Sequence, residues 1–348
     1  MLELTQTMAP PRVPVNIGSR GRIALFSQPE LDDAVAIVGR VMRPTPQIAW
    51  PLLAARVGCE VWVKHENHTP TGAFKVRGGL VFMDALRRRG ETVAGLITAT
   101  RGNHGQSIAF AGRQAGIAVT IVVPRGNSAE KNAAMRGFGA EVIESGADFD
   151  EARATAQALA ETRGLRMVPS LQADLVRGVA TYALELFTAV AGLDAVYVPI
   201  GLGSGICGLI RTRDLLGLPT AIIGVNSAHA PAYALSMAAG HAVSTPSANT
   251  IADGIACRVP DPQALEIICR GADHIVTVTD DEVAEAIRTY HECTHNTAEG
   301  AGAAPLAALL QERVAQRGRR VGVVLSGGNI DRALLARILA EAPARKAA

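Results

Sequence analysis

Six short runs rich in β-branched residues punctuate the 348-residue chain: VWV at 61–63, GLIT at 95–98, VTIVVP at 119–124, AVYVP at 195–199, AIIGV at 221–225 and VGVVL at 321–325. Between them lie longer alanine-rich segments such as SIAFAGRQAG (107–116), DEARATAQALAETRG (150–164) and LVRGVATYALELFTAV (175–190), several closed by glycine. A strand-length run followed by a helix-length segment is the rhythm of α/β architecture with largely parallel sheets. No internal repeat or low-complexity linker marks a domain boundary, so any division of the chain is expected to be discontinuous.

Composition narrows the class. A hydrophobic share of 48 % with 19 % charged residues suits a compact protein with a large core. The net charge of +2 and the scatter of basic residues give no reason to expect nucleic acid or an anionic membrane. Arg87, Arg88 and Arg89 precede Gly90 and read as a solvated last helical turn. Five cysteines, at 59, 207, 257, 269 and 293, form no CxxC pair and no dense disulfide pattern, which points to a reducing compartment. Residues 1–22 lack the apolar core of a signal peptide, and no apolar run is long enough to span a bilayer; a cytoplasmic protein is expected.

In open α/β sheets ligands bind where strands end and helices begin, because the helix N-termini there present free N–H groups. Four such junctions carry unusual residues. After VWVKHEN comes TPTGAFKVRGG, and Val76, Leu80, Met83 and Leu86 then recur at helical spacing, so Lys75 falls in the first turn. The positive end of the helix disfavours an ammonium there, and Phe74 adds desolvation. A neutral amine is what Schiff-base chemistry requires; a surface lysine snorkelling away from the dipole is the plain alternative. The second junction, TATRGNHGQS at 98–107, offers Thr100, Arg101, Gly102, Asn103 and His104 at a helix start, suited to a carboxylate or simply to a well-capped helix.

The third junction, VPIGLGSGICG, places Gly201, Leu202, Gly203, Ser204 and Gly205 between a strand and an apolar helix, a phosphate cradle by its successive N–H groups. Gly203, Gly205 and Gly208 also satisfy GxGxxG, so a nicotinamide-dependent oxidoreductase competes. The next strand ends in Asn226-Ser227, where a dinucleotide site expects an acid for the ribose, and this favours a monophosphate. At the fourth, LSGGNID, Ser326 stands at a strand end where a neutral hydroxyl can bond a heteroaromatic nitrogen or cap the last helix.

A reactive lysine, a glycine phosphate cup and a strand-end serine together resemble the fold-type II pyridoxal-phosphate enzymes of the serine and threonine dehydratase family, which includes serine racemase. The likeness runs from Arg43-Pro44-Thr45-Pro46 through KHENHTPTGAFKVRGG (64–79), TRGNHGQ (100–106) and TIADGIA (250–256) to Ser326-Gly327-Gly328-Asn329. It implies a tryptophan synthase β-subunit-like fold, with a large cofactor domain from 1–92 and 169–348 and a small mobile domain at 93–168. It also implies pyridoxal 5'-phosphate on Lys75, the phosphate at Gly201–Gly205 with Ser204, Asn103 on the ring hydroxyl, Ser326 on the ring nitrogen, and Phe74 beside the ring. Glu299, in NTAEGAGAAPLAAL, matches a glutamate near the cofactor, although Gly300 replaces the usual proline. A homodimer or homotetramer is implied, and the chain's end soon after its last helix implies no regulatory domain of the biosynthetic threonine dehydratase kind.

The implied reaction is β-elimination from a β-hydroxy-α-amino acid to a 2-oxo acid and ammonia. Three departures bear on it. Ala73 replaces a serine common two residues before the lysine. Arg101 stands where racemases and many dehydratases carry a serine, which predicts poor racemisation and suits either a distal substrate carboxylate or pairing with a structural acid. The acidic residues of the family's cation site are replaced by Asn226, Ser227, Ala228 and His229, so no metal is expected there. TRGNHGQS and GLGSGICG look most like the subgroup with hydroxyectoine-utilisation and phenylserine dehydratases, which suggests a substrate larger than serine. His65 and His68 flank the lysine loop and are expected to be solvated or supporting; His291 and His295 share a helix face without a third metal ligand. A non-catalytic sensor that kept the fold is the remaining alternative.

Overall fold

A computed structural model describes residues 25–341. The N-terminal stretch read for a signal peptide therefore lies outside the described residues. Among the described residues there are ten strands: β1 (Gln47–Ala49), β2 (Glu60–His65), β3 (Leu96–Ala99), β4 (Val119–Val123), β5 (Glu141–Glu144), β6 (Arg166–Met167), β7 (Ala195–Pro199), β8 (Ala221–Ser227), β9 (His274–Val278) and β10 (Arg320–Leu325). They form a six-stranded sheet in the order β1-β2-β10-β7-β8-β9 and a four-stranded sheet in the order β5-β4-β3-β6. Every pairing is parallel except β1 with β2. The α/β architecture with largely parallel sheets is as expected.

The six runs legible in the sequence are β2, β3, β4, β7, β8 and β10, and these are the interior strands of the two sheets. The four strands not foreseen, β1, β5, β6 and β9, are the edges. Interior parallel strands are covered by helices on both faces and so read as continuous apolar runs. In the large sheet Tyr197, Ile223, Val321 and Val323 pack on one face with Leu306 and Ala307, while Val196, Val198, Ile222 and Val324 pack on the other with Leu186 and Leu209. Edge strands are short or carry polar residues, as in EVIE at β5 and the two residues of β6, and leave no such run.

Helix Lys75–Arg88 is the structural pivot. Its buried face includes the expected Val76, Leu80, Met83 and Leu86. It crosses helix Ala173–Ala189 at very short range: a Cβ on Gly178 would lie 2.3 Å from the Arg77 carbonyl, and one on Gly78 would lie 2.7 Å from that of Leu175. The Arg87–Arg89 run ends this helix in exposed ion pairs with Asp33, Asp84, Glu91 and Asp174, worth little individually.

Beneath the pivot lies a buried charge cluster. Arg77 donates from Nε to Glu66 Oε2 at 2.7 Å and from Nη1 to Glu185 Oε1 at 2.6 Å. Lys64 donates to Glu185 Oε2 at 2.5 Å and to the Thr45 carbonyl at 2.9 Å, while the Thr45 hydroxyl donates to Glu66. Lys64, Glu66 and Arg77 are wholly buried. Burial by itself would raise Glu66, but Arg77 and Lys64 beside it prevail and hold its carboxyl below the usual range. Two cations and two carboxylates thus neutralise one another and tie the 43–46 segment, β2 and two helices together. Among the described residues no helix is long and apolar enough to cross a membrane.

Removing one partner of such a cluster leaves unpaired buried charge. Arg77→Met is therefore expected to cost about 3–5 kcal/mol of stability, read from the urea-unfolding midpoint. A loss below about 1 kcal/mol would show that the cluster is not what anchors the pivot.

Candidate active site

The lysine loop is held from both sides. Thr69 Oγ1 accepts from the Ala73 N–H at 2.9 Å and donates to the Ala73 carbonyl at 2.8 Å. Phe74 N–H donates to the Ser326 carbonyl at 3.0 Å, and Gly328 N–H donates to the Gly72 carbonyl at 2.9 Å. An antiparallel bridge between Ala73 and Gly327 lies in between. Gly72 has φ of +68°, and a Cβ there would fall 2.5 Å from Asn329 Oδ1. Opposite ends of the chain are thus laced together around Lys75.

Lys75 is the first residue of its helix, which no side chain caps. Its Nζ lies 5.2 Å from the Phe74 ring centroid and 3.1 Å from Ser204 Oγ. The side chain keeps partial surface exposure, yet the surrounding protein desolvates the amine and lowers its pKa to about 8. Burial thus brings the neutral amine within easier reach than for a free lysine, although the ammonium still predominates below about pH 8. Ser107 Oγ donates to the Lys75 carbonyl at 2.6 Å, tying the second junction to the first.

Gly203, at φ of +108°, precedes helix Ser204–Leu215, whose N-terminus has no side-chain cap. Its first-turn N–H groups are therefore free for an anion beside the Lys75 amine. Two buried tyrosines brace the loop: Tyr182 donates to the Gly205 carbonyl and Tyr233 to that of Leu202, each at 2.9 Å. A Cβ on Gly201 would meet the Gly254 carbonyl at 2.4 Å, so the TIADGIA segment closes one side of the cradle. Gly208 instead lies against the Ala180 backbone, where a Cβ would come within 3.1 Å. The third glycine of GxGxxG thus serves helix packing, and Asn226 is engaged with the Ile200 carbonyl and the Ala234 N–H.

In the second junction Thr100 Oγ1 accepts from the Gly102 N–H at 3.0 Å, and helix Asn103–Ala115 again starts without a side-chain cap. His104 is buried against Thr98 Oγ1 at 3.1 Å, and burial, then the nearby Lys75, pushes its pKa down to about 3. Its ring is engaged away from the helix end, so what it offers a ligand is its backbone N–H. Arg101 is exposed, lines a cavity of about 260 Å³ together with Lys131, Asp253, Glu299 and Asn329, and has no ion-pair partner among the described residues.

Asn103, Glu299 and Asn329 form a relay whose polarity is fixed from one end. Asn329 Nδ2 donates to the Thr71 carbonyl at 2.8 Å and to Asn103 Oδ1 at 2.9 Å. Asn103 must then turn its Nδ2 to Glu299 Oε1, 2.6 Å away. Glu299 is buried, its Oε2 has no hydrogen-bond partner among the described residues, and burial raises its pKa to about 7 against the pull of Lys131. Gly300, the departure from proline, lets the 251–252 backbone approach: a Cβ there would lie 2.6 Å from Ala252 Cα. Ser326 directly follows β10 and is buried, its hydroxyl without a protein partner among the described residues.

Residues 38–327 match the family described as "Pyridoxal-phosphate dependent enzyme". The chain belongs to that family. It is 40 % identical over 278 residues to an L-threonine ammonia-lyase of Geobacter sulfurreducens, covering 79 % of this chain and 69 % of that protein. It is 33 % identical over 311 residues to an L-threonine ammonia-lyase of Thermotoga maritima, covering 89 % and 77 %. Among solved structures, maize serine racemase superposes with a TM-score of 0.84 at 27 % identity, covering 89 % of this chain and 96 % of that one. The cofactor of the family is pyridoxal phosphate, and the site suits it: an uncapped helix N-terminus for the phosphate, a desolvated lysine beside it and, just past a strand end, a buried serine whose hydroxyl has no partner among the described residues.

Of the two roles expected for His65, the structure gives the supporting one: it is buried, Trp50 Nε1 donates to its Nε2 at 3.0 Å, and burial lowers its pKa to about 4. His295 is the C-cap of helix Asp280–Thr294, at φ of +53°, and its ring still lies edge-on to that of His291 with centroids 6.0 Å apart. Sequence reading passed over Asn329, Lys131 and Asp253. Asn329 stood in the quoted SGGN stretch, whereas nothing local distinguishes Lys131.

A neutral amine attacks an aldehyde and an ammonium does not. Pyridoxal phosphate uptake by the cofactor-free protein is expected to quicken as pH rises through about 8 and to level off above it, followed by absorbance. A rate independent of pH across that range would overturn the desolvated-lysine assignment.

Proposed function

We propose that the protein is a dehydratase and ammonia-lyase that converts a β-hydroxy-α-amino acid to a 2-oxo acid and ammonia. The observation that carries this reading is the desolvated Lys75 amine at 3.1 Å from Ser204, at the free helix start. The names of the two ammonia-lyase relatives support it. The bound cofactor supplies an electron sink at the substrate α-carbon. The neutral Lys75 amine would take the α-proton as general base and hand it on to the departing β-hydroxyl. The β-hydroxyl then leaves with a proton as water, and the enamine left behind hydrolyses to the 2-oxo acid and ammonia.

The two uncapped helix starts divide the binding work: residues 201–205 hold the cofactor phosphate and residues 100–104 hold the substrate α-carboxylate. Asn103 and Glu299 serve the ring hydroxyl side, Ser326 the ring nitrogen, and Phe74 the ring edge. A serine at that nitrogen leaves the ring less fully protonated than a carboxylate would, which favours prompt elimination over a long-lived carbanion. We further propose that residues 93–168 form a small domain that closes over the substrate against the rest of the chain, that the protein assembles as a homodimer or homotetramer, and that it works in the cytoplasm.

Arg101 is the specificity element of this reading. An exposed guanidinium in the lining of the cavity, without an acid partner among the described residues, suits the distal carboxylate of a substrate such as 3-hydroxyaspartate. Phenylserine and the hydroxyectoine-derived substrate are the uncharged or larger competitors. Release of 2-oxo acid and ammonia from threonine, serine, phenylserine and 3-hydroxyaspartate tests the function; no turnover by fully loaded protein would favour a non-catalytic sensor. Arg101→Ser is expected to lower kcat/KM for 3-hydroxyaspartate by about tenfold or more while leaving threonine within about threefold. Equal losses on both would remove the carboxylate role.

A further inference from the structure

Helix Ala129–Gly137, next to the four-stranded sheet, reaches across the cavity to the large sheet's loops. Its N-cap Ser128 donates to Asp331, and the Glu130 carboxylate accepts from the Arg332 N–H at 3.1 Å. Between these contacts Lys131 donates to Asp253 Oδ2 at 2.5 Å while almost wholly buried. Its stem lies directly under the substrate loop, since a Cβ on Gly102 would come 2.7 Å from Lys131 Cδ. Lys131 also faces Glu299, the carboxylate whose Oε2 is buried without a partner and whose Oε1 holds Asn103.

We propose that Lys131 is a positioning residue: by bridging to Asp253 and facing Glu299 across the cavity, it sets the proton on Glu299 and couples that proton to docking of the 129–137 helix. The groups facing Glu299 are few. Lys131 comes from that helix, Asp253 from the 253–255 turn and Asn103 from the 103–115 helix; Arg101, Arg125 and Asp331 line the same cavity. Lys131 is the buried cation among them and pulls the carboxyl towards ionisation, whereas burial and Asp253 push towards the neutral form. When the helix swings away the ammonium leaves with it, Glu299 takes up a proton, and Oε2–H becomes a donor. With the helix docked, the ionised carboxylate accepts fully from Asn103 and the Asn329–Asn103 relay is drawn tight.

The inference rests on the proposed site but not on its turnover. The test is the titration of Glu299 in cofactor-loaded protein carrying carbon-13 glutamate, its signal assigned by loss in Glu299→Gln. The wild-type midpoint is expected near pH 7. In Lys131→Met it should rise by about one unit or more, and Lys131→Arg should restore it. Asp253→Asn, which keeps the lysine and removes a carboxylate, should lower it and serves if Lys131→Met fails to fold. Amide exchange across 129–137 should also quicken in Lys131→Met and recover in Lys131→Arg. A midpoint unmoved by both Lys131→Met and Asp253→Asn, or by Asp253→Asn alone if Lys131→Met does not fold, overturns the proposal. So does a midpoint that shifts while exchange in the helix stays unchanged. If the protein turns over no amino acid but the midpoint moves as stated, the functional reading fails and this one stands.

Discussion

Everything in this site depends on keeping one lysine amine out of water. An ammonium at a helix start among apolar groups is unfavourable, so Lys75 is a usable amine only while the protein around it stays closed and rigid. Three features supply that rigidity: the lacing of residues 72–74 to 326–328, the glycine-tight crossing of helices 75–88 and 173–189, and the neutralised cluster of Lys64, Glu66, Arg77 and Glu185. The cluster is costly to assemble and more costly to break. That places its constraint on the geometry of the lysine helix more than on net stability.

The same closure explains why glycines are spent where they are. At Gly201 and Gly300 the limiting atoms belong to neighbouring backbone, chiefly from the 250–256 segment, which the sequence marked as a motif without revealing its task. That segment walls the phosphate cradle with Gly254, presents Asp253 to Lys131 and is itself pinned by Thr250 to Asp280. Two departures from the family pattern become intelligible in these terms. Ala73 needs no hydroxyl to hold the loop because Thr69 bonds both its N–H and its carbonyl. Gly300 gives up the stiffness of proline and gains the close approach of residues 251 and 252.

How much was legible follows from burial. Interior parallel strands must be apolar on both faces, so β2, β3, β4, β7, β8 and β10 announced themselves, while the edge strands β1, β5, β6 and β9 carry too few core residues to do so. Junction loops were legible for a related reason: glycine clusters beside strand ends are rare unless backbone must approach something. Lys131, Asp253 and the burial of His65 were not legible, because their partners lie far away in sequence and nothing in their neighbours encodes the pairing.

The sequence by itself determined the α/β class, the pyridoxal-phosphate family, and the four junctions and the lysine proposed to serve its cofactor, since each is written in residues a few positions apart. Tertiary structure alone decided that Lys75 loses much of its solvation, that Gly208 is a packing residue, that Arg101 lines the cavity, and that Glu299 is buried between Asn103 and the field of Lys131. Desolvation and charge pairing are sums over atoms brought together from both ends of the chain, and such sums exist only once the chain has folded.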